Sequence, residues 1–80
     1  MTLACRAELT IRTRNASVLT GALSPEMSEK VPRTSVQVAG GDGEVAIRVE
    51  AGDLASLRAA LNSYIRWADV AEETAEEARR

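Results

Sequence analysis

The chain has 80 residues, enough for one small domain and too few for two. With 45% hydrophobic and 28% charged residues it falls in the globular class, not the disordered one. Ten Lys plus Arg against 12 Asp plus Glu, no His and one Cys exclude a strongly basic nucleic-acid binder, most zinc sites, and Ser/His or Cys/His triads.

Residues 3 to 11 alternate. Leu3, Cys5, Ala7, Leu9 and Ile11 face one way, while Thr2, Ala4, Arg6, Glu8, Thr10 and Arg12 face the other. Period two predicts a strand with one buried face. Cys5 lies on that face and reads as a small hydrophobe, since a reactive thiol needs exposure and a nearby cation. Over residues 15 to 24 the period lengthens to that of a helix. Asn15 offers a side-chain cap, and Val18, Leu19, Ala22 and Leu23 share a face. Gly21 weakens such a helix by about 1 kcal/mol relative to Ala, which suggests that another backbone passes close to it. Pro25 forces the preceding residue out of helical geometry, and residues 25 to 33 read as a polar loop.

Thr34 to Ala39 forms a second predicted strand with Val36 and Val38 inward. Gly40-Gly41-Asp42-Gly43 reads as a hairpin turn. It lacks the Gly-Lys-Ser/Thr ending and following helix of a phosphate loop. Glu44 to Glu50 is the third strand, with Val45, Ile47 and Val49 inward.

Asp53 caps a last helix predicted from Leu54 to about Ala75. Leu54, Leu57, Leu61, Ile65 and Ala68 make one apolar row, and Ala60, Tyr64, Trp67 and Ala71 a second beside it. Together they span about 160°, more than the roughly 100° that one core needs. The expectation is that the first row sits on the sheet and that Tyr64 and Trp67 border an interface, the alternative being that the first helix covers them. Arg58, Asn62 and Arg66 form a ladder at i, i+4 on the polar side, with Asp69 in reach of Arg66. A guanidinium there can engage a carboxylate or a phosphate. Glu72 falls on the apolar stripe, and four glutamates crowd the helix end, against its dipole. Residues 1–71 are therefore read as a single α+β domain, and residues 72–80 as a charged, frayed helix end.

The order strand, helix, strand, strand, helix predicts a two-layer α+β domain. Its three-stranded antiparallel sheet has the order 1-3-2, with both helices on one face. The other face carries Arg6, Glu8, Gln37, Arg48 and Glu50, whose charges can pair across strands. A core without Phe is thin, and one Cys forbids an internal disulfide, so association with another chain is the expected route to stability. No basic start followed by an apolar run is visible, and no stretch approaches the roughly 20 apolar residues of a membrane span. A cytoplasmic location is the expectation.

The run Val-Glu-Ala-Gly-Asp-Leu-Ala-Ser-Leu-Arg-Ala-Ala-Leu-Asn-Ser-Tyr-Ile-Arg-Trp, residues 49–67, resembles the signature of the small dimerisation subunit of the KEOPS (EKC) complex, the Pcc/CTAG-like family. Leu23-Ser24-Pro25-Glu26 is similar to that family's Leu-x-Pro-Glu pattern. The resemblance runs from the first strand to about Trp67. It implies a homodimer with no catalytic site, no cofactor and no metal. It also implies docking of the catalytic KEOPS subunit, which transfers a threonylcarbamoyl group to an adenosine of tRNA, in a complex that includes a small kinase/ATPase. With the wide apolar helix, it points to Leu19, Leu23, Leu57, Leu61, Tyr64 and Trp67 as partner-binding residues in a groove between the helices. Arg58, Asn62, Ser63 and Arg66 match motif positions and are candidates for polar contact with tRNA or partner. The alternative is a stand-alone KH-like RNA-binding module. The acidic balance, the missing Gly-x-x-Gly loop and the scarcity of aromatics weigh against it. An enzyme is disfavoured, because the paired glutamates lie in the tail and not in a cleft.

Overall fold

A computed structural model describes residues 4–23 and 34–79. Strand β1 is Cys5–Arg12, helix α1 Ala16–Ala22, strand β2 Thr34–Gly41, strand β3 Glu44–Ala51 and helix α2 Leu54–Ala78. The sheet has the order β1-β3-β2 with every pair antiparallel, and the predicted α+β architecture holds. Central β3 is opposite β1 through Leu9–Ile47 and Ile11–Val45, and opposite β2 through Val38–Ile47 and Val36–Val49. Period two puts these apolar residues on one face, where the helices cover them. Val45, Ile47 and Val49 are fully buried there, since β3 has neighbours on both sides.

Both helices lie on that face, α1 mainly over β2 and α2 mainly over β3 and β1. The contact of α1 with β2 depends on Gly40. Strand β2 runs on through Gly40 and Gly41, beyond the predicted end at Ala39, and leaves Asp42-Gly43 as the turn. Gly43 takes φ 73°, open to glycine and disfavoured for other residues. Gly40 has a different reason to be glycine, because a Cβ there would collide with the Thr20 side chain. The close approach expected at Gly21 does not occur, and Gly21 faces open space.

Asp53 caps α2 as predicted, its carboxylate accepting the Ser56 N–H at 2.7 Å. The helix then departs from the sequence reading in two respects. Its buried residues are Ala60, Tyr64, Ala68 and Ala75, so the core-facing arc centres on the second row and takes in only Ala68 of the first. Leu54 and Ile65 of the first row are 74% and 49% exposed. The reason is that α1 shares the sheet with α2. The buried arc of α2 is thereby turned toward α1, and Tyr64 fills the space beneath both helices with Leu19 and Leu23. The helix also runs to Ala78, past the predicted end near Ala75, and Ala75 is buried, beyond the expected limit of burial near Ala71. Interactions of Glu72 and Glu76 with the β1–α1 loop, described below, account for this. The loop expected at 25 to 33 and the Ser24-Pro25-Glu26 part of the motif lie outside the described residues. Among the described residues no helix is long and apolar enough to cross a membrane.

Candidate protein-docking site

Among the described residues, the two flanks of α2 carry the large apolar side chains that stay exposed. On the α1 side, Val18 and Ala22 of α1 face Trp67, Val70, Ala71 and Thr74 of α2 across a groove of about 400 Å³. Val18 and Val70 are 48% and 56% exposed, so the groove is open along its length. Trp67 forms one wall. Its ring meets that of Tyr64 edge to face, with centroids 5.0 Å apart and planes at 72°. On the β1 side, Leu54, Leu57, Leu61 and Ile65 line a hollow of about 500 Å³, bordered by Arg58 and Asn62. A second hollow of about 300 Å³ joins Ile65 to Leu9 and Ile11 of β1. That flank lies beside the outer edge of β1, whose only strand neighbour among the described residues is β3.

A polar cluster closes one end of the α1–α2 pair. Asn15 is 1% exposed and is the one buried polar side chain among the described residues. Its Nδ2 donates to Glu72 at 2.6 Å and to Glu76 at 2.7 Å, and its Oδ1 accepts from Arg79 Nε at 2.8 Å. It makes no capping bond to α1, contrary to the sequence reading. The Thr13 hydroxyl donates to the Glu72 carboxylate at 2.6 Å and accepts the Asn15 backbone N–H at 3.0 Å. Arg14 grips Glu76 with two parallel bonds, Nε at 3.0 Å and a terminal nitrogen at 2.6 Å. The hydrogen bonds from Arg14 and Asn15 hold the Glu76 carboxyl down at about 2. The same Glu76 contact raises Arg14.

The proposed partner-binding residues divide. Leu19, Leu23 and Tyr64 are fully buried in the core, and none of them lines the α1–α2 groove, though Leu19 reaches the base of the hollow beside β1. Leu57, Leu61 and Trp67 are partly buried and do reach the surface, the two leucines on the β1 flank and Trp67 on the α1 flank. The Tyr64 phenol has no hydrogen-bond partner among the described residues, and burial pushes it up. Arg58, Asn62 and Arg66 are exposed along the outer side of α2 and Ser63 is half-buried. Elsewhere positive charge is neutralised locally: Arg48 pairs with Glu8 at 2.8 Å, Arg12 with Glu44 at 3.3 Å and Arg14 with Glu76. Sequence reasoning missed Val70 as a wall of the groove. The available signal was an apolar residue lying off both rows of α2. It also missed Glu72, Glu76 and Arg79 as partners of the β1–α1 loop, for which the sequence held no local signal.

A family model described as "Transcription factor Pcc1" matches residues 4–76, nearly the whole chain. No curated protein matches the chain.

Proposed function

The chain belongs to the Pcc1 family, and from that premise we propose that it is a non-catalytic, homodimeric scaffold subunit of a KEOPS-type complex in the cytoplasm. In this reading it bridges catalytic subunits that form threonylcarbamoyladenosine in tRNA. One observation carries the proposal: α2 exposes apolar surface on both flanks, more than its own sheet and α1 cover. Large apolar surfaces left open on a small domain mark sites for other proteins.

The two flanks suit two different contacts. The β1 flank joins an open strand edge to an apolar helix stripe. A two-fold copy can pair β1 with β1 and cover both stripes at once, as a self-complementary interface requires. The α1–α2 groove has apolar walls of the kind that receive a partner's helices, and we assign the catalytic subunit to it. Arg58, Asn62 and Arg66, exposed on α2, are then available to tRNA or partner in the assembly, Arg66 at the rim of the groove, with half-buried Ser63 beside them. The complex's kinase/ATPase is reached indirectly, through the catalytic subunit.

The test is the mass of the chain in solution, alone and mixed with the catalytic subunit of a KEOPS-type complex. A dimer alone and co-elution in the mixture are expected. A chain that stays monomeric at high concentration and does not co-elute would refute the assignment.

A further inference from the structure

Helix α1 has little to hold it in place by itself. It has seven residues, a glycine within them, no side-chain cap and no charge placed to favour its dipole. Isolated helices shorter than about 12 residues are marginal even with better sequences. Its large anchors in the core are Leu19, at its middle, and the C-cap Leu23, while its first residue buries only the methyl group of Ala16. Apolar contacts of this kind fix burial but tolerate small shifts along a groove.

We propose that the Thr13–Arg14–Asn15 segment and the Glu72–Glu76–Arg79 turns of α2 form a latch that fixes the start of α1 and so sets the width of the α1–α2 groove. The buried Asn15 amide uses both of its N–H donors and its oxygen on α2 partners 57 to 64 residues away in sequence. A fully satisfied buried polar group specifies one arrangement, because any displacement leaves it unpaired in a low dielectric. Arg14 adds a two-pronged hold on Glu76, which fixes direction as well as distance. The groove begins beside the cluster, at Val18 on α1, three residues after Asn15, and at Thr74 on α2, between Glu72 and Glu76, so a shift at Asn15 passes directly to its walls. The charged end of α2 is thus a structural strut for the surface next to it. The inference rests on the docking reading only for the groove's purpose, not for the latch itself.

Hydrogen exchange on the full chain with Asn15→Ala tests it. The α1 amides of residues 19–23 should exchange about tenfold faster, the loss expected for charge-assisted hydrogen bonds. The β3 amides of Val45, Ile47 and Val49 should keep their rates. Emission of Trp67, the chain's one tryptophan, should move to longer wavelength as the groove loosens. Unchanged α1 rates, or β3 rates rising in step with them, would overturn the latch. Should Asn15→Ala fail to fold, Arg79→Ala decides the matter, since it removes one donor from a largely exposed side chain. Selective loosening of α1 supports the latch, and its absence overturns it. No partner enters either measurement, so failure here leaves the docking proposal standing, and loss of docking leaves the latch standing.

Discussion

The amide of Asn15 lies 2.7 Å from the carboxylate of Glu76, across 61 residues of chain. Arg14, next in sequence, holds the same carboxylate from the solvent side. Two adjacent loop residues therefore meet one glutamate, one from inside the protein and one from outside.

Stability should depend on pH through this contact. Glu76 is lowered from 4.5 to about 2, chiefly by the Arg14 and Asn15 hydrogen bonds. A carboxyl depressed by folding contributes fully above its unfolded value and loses that contribution as pH falls through its folded value. Urea midpoints should therefore fall as pH drops from about 4.5 to about 2. Glu76→Gln should flatten the slope over that interval. An unchanged slope in the variant would refute the assignment.

Tyr64→Phe should be neutral or stabilising. The phenol oxygen is buried without a partner among the described residues, a situation that costs about 1–3 kcal/mol. Removing it leaves the edge-to-face contact of the ring with Trp67 in place. Tyr64→Ala should instead cost about 3–5 kcal/mol through the cavity it opens. Denaturant unfolding of both variants checks the pair, and a marked loss in Tyr64→Phe would mean that the hydroxyl has a partner.

The two flanks of α2 should be separable. Val70→Asp places a charge in the α1–α2 groove at a site 56% exposed, and should weaken catalytic-subunit docking by about 30-fold or more. Self-association should survive it. Ile65→Asp, on the β1 flank, should lower the mass to that of a monomer. Circular dichroism should be unchanged for both. If either substitution abolishes both interactions in folded protein, the division between flanks fails.

Gly40→Ala should cost about 1–2 kcal/mol, because the added Cβ meets Thr20 and α1 must shift. Thr20→Ala in the same chain should recover part of the loss. A double-mutant cycle with no coupling between the positions would show that Gly40 is glycine for some other reason.

The strands were readable because each alternates over its whole length, and the period alone fixes which side is buried. Order and pairing then followed from the short Asp42-Gly43 turn and the crossover through α1. Helix α2 was harder. Its apolar arc was visibly too wide, but its buried centre depends on where α1 lies, and the close approach of Thr20 of α1 to β2 requires that Gly40 carry no side chain. That is tertiary information, and so the pattern of α2 alone puts Tyr64 at the border of an interface, whereas the fold buries it in the core. The Asn15 cluster was illegible for a similar reason. Asn15 looks like a helix cap locally, and only the folded chain brings Glu72, Glu76 and Arg79 to it.

With 25 residues at about 1.5 Å each, α2 is about 37 Å long, whereas the eight-residue strands beneath it span about 27 Å. It behaves as a straight beam laid across a shorter platform. Bodies fastened to its opposite sides move together and keep a constant spacing. A chain of this size can in that way act as a ruler, setting how far apart, and at what angle, much larger neighbours are held.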